Sequence, residues 1–180
     1  GNRKMKKIRS LLLGAAAVSF LATGAEAADL VVNGVDPVYD SPLFNFEGFY
    51  VGATLGAGAF PGPGFVGTVG GVAGANFAIT DAVLAGVEFQ GDALWNGGGF
   101  VGFDALFLGK IGSYLSDDMV VYGTGGGGWI AGVGSYGLGA GIEMAVMEQV
   151  SVRGEAMATG TWGGWPNGAK ATVGVFWHMN

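Results

Sequence analysis

The sequence predicts an all-β chain, an eight-stranded antiparallel up-and-down transmembrane β-barrel. Three observations predict it. The chain is half hydrophobic and only 12% charged, whereas a soluble domain carries about 25% charged residues. Beyond the N-terminal leader no apolar run is long enough for a membrane helix, so a closed sheet is the remaining way to satisfy the backbone in lipid. Eight segments alternate large apolar residues with small or polar ones, and turn residues separate them. A disordered glycine-rich chain would lack the aromatic and β-branched residues present here.

The leader comes first. Met5-Lys6-Lys7-Ile8-Arg9 is a positive n-region, Leu11 to Ala22 an apolar h-region, and Ala25-Glu26-Ala27 a small-x-small cleavage site. Residues 1–27 read as a secretory signal peptide with an upstream remnant, Gly1 to Lys4, cut between Ala27 and Ala28. The h-region is shorter than the roughly 20 residues a spanning helix needs. Of 8 Lys and Arg, only Lys110, Arg153 and Lys170 follow the cut, against 13 of the 14 acids. So acidic a chain excludes nucleic acid and a polybasic membrane contact. No cysteine is present, which excludes disulfides and thiolate metal sites. Residues 28–47 read as a loosely ordered periplasmic N-terminal segment and 48–180 as the barrel.

The first strand is Phe49 to Phe60, with Phe49, Val51, Ala53 and Leu55 on one face and Tyr50, Gly52, Thr54 and Gly56 on the other. Pro61 to Gly64 turns the chain. The second strand, Phe65 to Ile79, alternates less cleanly and ends at Thr80-Asp81-Ala82. The third, Val83 to Trp95, sets Val87, Phe89 and Ala93 against Glu88, Gln90 and Asp92, and Asn96 to Gly99 forms a hairpin. In the fourth, Phe100 to Tyr114, Val101, Phe103, Ala105, Phe107 and Ile111 oppose Asp104 and Lys110. The fifth, Met119 to Ile130, has no assignable faces. The sixth, Tyr136 to Val146, follows a connection at 131–135 and sets Leu138, Ala140, Ile142 and Met144 against Glu143. The seventh, Val150 to Thr161, points Ser151, Arg153, Glu155 and Thr159 inward, and the loop 162–168 follows. The eighth, Ala169 to Met179, points Ala171, Val173, Val175 and Trp177 outward and Lys170, Thr172, Phe176 and His178 inward.

Wherever parity is assignable, the charges share the face opposite the large apolar residues: Glu88, Asp92, Asp104, Lys110, Glu143, Arg153, Glu155 and Lys170. That face is the lumen, because a basic side chain facing mid-membrane lipid costs about 2–4 kcal/mol. A soluble barrel would carry its charges outside. The acids outnumber the bases five to three, and Lys110, Arg153 and Lys170 are expected to pair with them, since an unpaired buried charge is costly. Trp95, Trp162, Trp165 and Trp177 fall near strand ends, as an aromatic girdle requires.

Val121 to Gly132 contains G-x-G-x-x-G at Gly123, Gly125 and Gly128, with Glu143 twenty residues after the first glycine. A dinucleotide loop must open a helix. The glycine-dense sequence that follows cannot form one, since each glycine costs about 1 kcal/mol there. In a narrow barrel, inward glycines instead relieve crowding, and the run at 125–128 reads as a bent strand. No catalytic constellation is evident. His178 is the one histidine, expected to be structural with no serine beside it.

With the strands placed, two stretches carry a resemblance. Ala28 to Val32, a short spacer, and then FNFEGFYVGATLGAG form one; YGLGAGIEMAVMEQVSVRGEAMATG forms the other. They resemble the small alphaproteobacterial outer-membrane β-barrel proteins, OmpA-like eight-stranded barrels of the porin family. The resemblance implies the Gram-negative outer membrane as location, its lipid as solvent, and the barrel-assembly machinery as a partner in biogenesis. Two features depart from it: the chain ends Phe176-Trp177-His178-Met179-Asn180 rather than on an aromatic residue, and the external loops are short. The function expected is a monomeric structural barrel contributing to envelope integrity, its lumen closed by ion pairs, with no enzymatic activity, cofactor or metal. A narrow, weakly cation-preferring passive pore is the alternative, and binding of a surface ligand such as haem is a third.

Overall fold

The computed structural model describes residues 44–179. The expected signal peptide, its cleavage at Ala27 and Ala28, and most of the 28–47 segment lie outside them, as does Asn180. The described residues form eight strands: β1 (Gly48–Phe60), β2 (Gly64–Thr80), β3 (Val83–Asn96), β4 (Gly99–Ser116), β5 (Met119–Ile130), β6 (Val133–Met147), β7 (Val150–Thr161) and β8 (Gly168–Met179). Each pairs antiparallel with the next, and β8 pairs back onto β1 from Phe49↔Met179 to Ala59↔Ala169, closing the ring. Closure removes every sheet edge. The inner mouth, where β1 starts and β8 ends, carries the turns 81–82, 117–118 and 148–149. The outer mouth carries 61–63, 97–98, 131–132 and the loop 162–167.

The outward face is apolar. Phe49, Leu55, Val69, Phe89, Phe103, Phe107, Ile111, Leu138, Val173 and Val175 all lie exposed on it. Every charged side chain in the described strands is buried inside instead. Such an exterior suits hydrocarbon rather than water.

Glycine makes so narrow a ring possible. Large lumen side chains lie across glycines on the neighbouring strand: Tyr50 over Gly74, Tyr122 over Gly141, Phe176 over Gly52 and Met157 over Gly137. Three of these are direct cross-strand pairs. A Cβ at any of the four glycines would collide with the covering side chain. The Gly123 to Gly128 run belongs to β5 and opens no helix. Val120, Tyr122 and Thr124 face inward, which settles the parity that sequence left open.

Three expectations are corrected. Val101 does not share the outward face of Phe103. The β3–β4 register slips where Leu94 pairs with Gly102 and Trp95 with Phe100, so one extra residue reverses the alternation. Val101 then packs against the inward cluster while Phe100 turns outward beside Trp95. Gly102 holds the bulge at φ 147°, a backbone region that favours glycine. The connection expected at 131–135 is a two-residue turn, and β6 begins at Val133.

The third correction concerns residues 44–47, which are not loose. Phe44 and Phe46 enter the inner mouth and pack with Leu84 and Val120 against Tyr114 and Ala145. Asn76 Nδ2 donates to the Phe46 carbonyl (2.9 Å). The two phenylalanine rings thus bridge β3, β4, β5 and β6 from inside. Phe46 is 1% exposed, so Phe46→Ala should cost about 3 kcal/mol, read as a lower urea midpoint of the barrel folded in detergent.

Candidate functional site: the barrel lumen

Alternation on β3, β4, β6, β7 and β8 delivers all eight expected charges to the interior, none more than 6% exposed. They form two groups stacked along the barrel. Toward the outer mouth, Lys170 Nζ contacts Asp92 Oδ2 (2.5 Å) and Asp104 Oδ2 (2.9 Å). Asp92 and Asp104 are direct partners across β3 and β4, so one ammonium bridges two adjacent carboxylates. The Thr54 hydroxyl donates to Asp92 Oδ1 (3.0 Å), and the Asp92 amide to Asp104 Oδ1 (3.1 Å).

The second group centres on Arg153. Its Nη1 meets Glu88 Oε2 (2.5 Å), and its Nε donates to Glu143 Oε2 (3.0 Å). The guanidinium also lies over the Phe176 ring, 3.8 Å from its centroid, a cation–π contact. Lys110 Nζ lies 3.8 Å from Glu143 Oε2 and donates to the Tyr50 hydroxyl (3.2 Å), which donates in turn to Glu88 (2.5 Å). Glu155 meets no base among the described residues; it accepts from Gln90 Nε2 (2.9 Å) and the Tyr122 hydroxyl (2.8 Å). All three bases thus meet acids as expected, and hydrogen bonds from neutral groups hold the acid left over from the five-to-three excess.

Two apolar layers bracket these charges. Phe60, Val66, Leu94 and Ile130 lie toward the outer mouth in a buried cluster that continues inward through Leu106, Leu108 and Met157, with Leu106 and Leu108 between Asp104 and Lys110 on β4. Phe44, Phe46, Leu84 and Val120 form the other at the inner mouth. Sequence reasoning missed both. The signal was present: Leu84, Leu94, Leu106 and Leu108 share parity with Glu88, Asp92, Asp104 and Lys110.

His178 does have a serine beside it, contrary to expectation. Ser151 Oγ lies 3.1 Å from His178 Nε2, and Glu143 Oε1 lies 2.9 Å from the same nitrogen. Nucleophilic relay needs serine and carboxylate on opposite ring nitrogens, so that one accepts while the other donates. Here a carboxylate, which only accepts, makes Nε2 the donor, and Ser151 donates to Glu143 as well (2.7 Å). Nε2 then has no lone pair to take the serine proton, and the lone pair on Nδ1 lies on the other side of the ring, where no hydrogen-bond partner meets it among the described residues. The ring is also fully buried under Phe44 and Phe46. A serine-directed fluorophosphonate is therefore expected to leave the folded protein unlabelled, and labelling lost in Ser151→Ala would contradict this.

The four expected tryptophans divide between the mouths. Trp95, Trp162 and Trp165 stand at the outer mouth and Trp177 near the inner. Trp129, at the outer end of β5, joins the first three; the unassigned faces of that strand had hidden it. Trp162 folds back over Gly127 and Gly134 and packs on Tyr136, whose hydroxyl donates to the Gly164 carbonyl (2.9 Å).

Apolar wall, packed lumen and closed ring together define an eight-stranded barrel of the transmembrane type. No family profile matches the sequence, and no curated protein matches it. Among solved structures the chain is similar to a designed transmembrane β-barrel, with TM-score 0.49 and 18% identity over 74% of this chain and 98% of that one. It is also similar to Neisserial surface protein A, with TM-score 0.40 and 14% identity over 74% and 98%. A third is the KdgM porin in complex with disordered oligogalacturonate, with TM-score 0.35 and 8% identity over 73% and 99%. At these identities the likeness concerns the fold alone.

Proposed function

We propose that the chain is a structural outer-membrane β-barrel, monomeric and closed, that contributes to envelope integrity. The carrying observation is the layered lumen, in which apolar clusters bracket a fully buried, hydrogen-bonded charge network. A solute would have to displace packed leucines and phenylalanines at both mouths. In this reading the charges hold β3, β4, β6, β7 and β8 in one register, because each base reaches acids on other strands. The five-to-three acidic excess favours a second reading, a narrow cation-preferring pore. Against it, Glu155 and Glu88 are engaged by Tyr122, Gln90 and Tyr50 rather than open to a permeating ion. Haem capture at the outer rim is weakened because His178 lies buried at the opposite mouth.

Cell fractionation and a deletion strain test the proposal. The protein should appear in the outer membrane with heat-dependent gel mobility, and its loss should sensitise cells to detergent without slowing uptake of small solutes. Slower uptake with an intact detergent barrier would favour the pore.

A further inference from the structure

The inner mouth holds a short peptide of the chain itself. Phe44 and Phe46 point the same way, as residues two apart on an extended chain do, and their rings meet edge to face with centroids 4.6 Å apart. The cup that receives them belongs to the finished ring. Leu84, Tyr114, Val120 and Ala145 come from β3 to β6, and the His178 ring of β8 lies against both phenylalanines, with centroids at 4.9 and 5.8 Å. From β2, Asn76 Nδ2 donates to the Phe46 carbonyl, so the cup holds peptide backbone as well as aromatic rings. Asn76 Oδ1 is buried and meets no hydrogen-bond partner among the described residues; the native segment satisfies half of that amide. The segment joins the sheet at Gly48, whose φ of 92° favours glycine. The rim works against this occupant. Asp81, Asp117, Asp118 and Glu148 lie exposed in the three turns around the mouth, and the segment itself adds exposed Glu47. Every Lys and Arg of the described residues is buried in the lumen.

We propose that the inner mouth is a docking cup for a basic peptide segment that carries two aromatic residues separated by one position, and that Phe44-Asn45-Phe46 fills it as a tethered, exchangeable stand-in. Aromatic anchors in desolvated pockets carry most of the energy of such a contact. A rim of one charge sign concentrates the opposite charge and selects the partner. The native segment supplies the anchors but brings a like charge to the rim. Its hold comes from the rings and from the short tether to β1, which keeps its effective concentration high. A partner with Lys or Arg flanking the two rings uses the same pocket and gains the attraction that Glu47 forgoes. Exchange replaces one pair of rings with another, so the charge network beneath stays covered and the wall need not move. Because the cup is normally occupied, the affinity seen from outside is reduced by the fraction of molecules whose cup is empty.

The test uses the barrel folded in zwitterionic detergent micelles and three dye-labelled peptides. These are Lys-Lys-Phe-Asn-Phe-Lys-Lys, the same peptide with both phenylalanines replaced by alanine, and the native sequence from Ser41 to Glu47. Fluorescence anisotropy, read against empty micelles, should show saturable binding of the first peptide alone. Phe44→Ala/Phe46→Ala empties the cup, and Gly48→Ala strains the turn that leads into it. Each should bind the basic aromatic peptide roughly tenfold more tightly than the parent does. Asp117→Asn/Asp118→Asn should bind it several-fold more weakly, and added salt should act in the same direction. Heat-dependent gel mobility identifies the folded variants; should the double alanine variant fail to fold, Gly48→Ala carries the comparison. Equal binding of the alanine peptide, or no gain in affinity when the cup is emptied, would overturn the docking cup. Binding of the native-sequence peptide as tight as that of the basic one would overturn the basic partner and make the site a contact between copies of this chain.

Discussion

Gly126→Val is expected to abolish barrel assembly, leaving the chain aggregated on dilution into detergent and without a heat-dependent gel shift. A Cβ at Gly126 would collide with the Phe107 carbonyl oxygen and lie 2.9 Å from the Leu108 Cα. These are backbone atoms of β4, so no side chain can rotate aside. Overpacking of a side-chain core costs about 1–3 kcal/mol; a collision with a paired strand exceeds that range, because relief means breaking the β4–β5 ladder. Gly128 faces the same strand in the same way, against Ala105 and Leu106. The control is Gly154→Ala. Gly154 faces outward with open space around it, and that variant should fold as the parent does.

Arg153→Met is expected to destabilise the barrel by about 3–5 kcal/mol, the usual consequence of removing one partner from a buried ion pair. The loss is large because Arg153 serves two acids, Glu88 and Glu143, from two strands. Its removal leaves Lys110 alone to face both, at 3.8 Å from Glu143. Urea titration of the folded protein in micelles measures the effect. Neutralising the stranded acids as well, in Arg153→Met/Glu88→Gln/Glu143→Gln, should recover most of the loss, since replacing a whole buried cluster is often close to neutral. If the triple variant is as unstable as the single one, the interaction being lost is packing on Phe176 rather than charge.

The strands were legible where their two faces carry opposite kinds of side chain. On β3, Val87 and Phe89 beside Glu88 and Gln90 define lipid and lumen without ambiguity, and β6 to β8 read the same way. On β5, Gly125 to Gly128 carry no side chain to mark a face, so the inward turn of Tyr122 and the outward turn of Trp129 became clear only from the register with β4 and β6. Val101 misled because one bulge residue reverses an alternation that is otherwise strict.

The lumen charges were individually legible, but their partners were not. Asp92 and Lys170 are 78 residues apart, and which acid meets which base depends on the stagger of the closed ring, which no single strand records. The same stagger brings Ser151 beside His178, two inward residues on adjacent strands whose proximity alternation alone does not specify. The N-terminal stopper was hidden for another reason. Phe44-Asn45-Phe46 has no strand pattern of its own, and its burial follows from the opening that the finished ring leaves at the inner mouth.

The account turns on a lumen that is filled rather than open. Single-channel recording of the refolded barrel in a planar bilayer, after heat-dependent gel mobility confirms folding, tests that most directly. A silent membrane is the expected result, with the buried charges acting to fix strand register. Steady cation-selective current that falls when Glu88, Asp92 or Asp104 is neutralised would contradict it, showing that ions pass the apolar layers at both mouths.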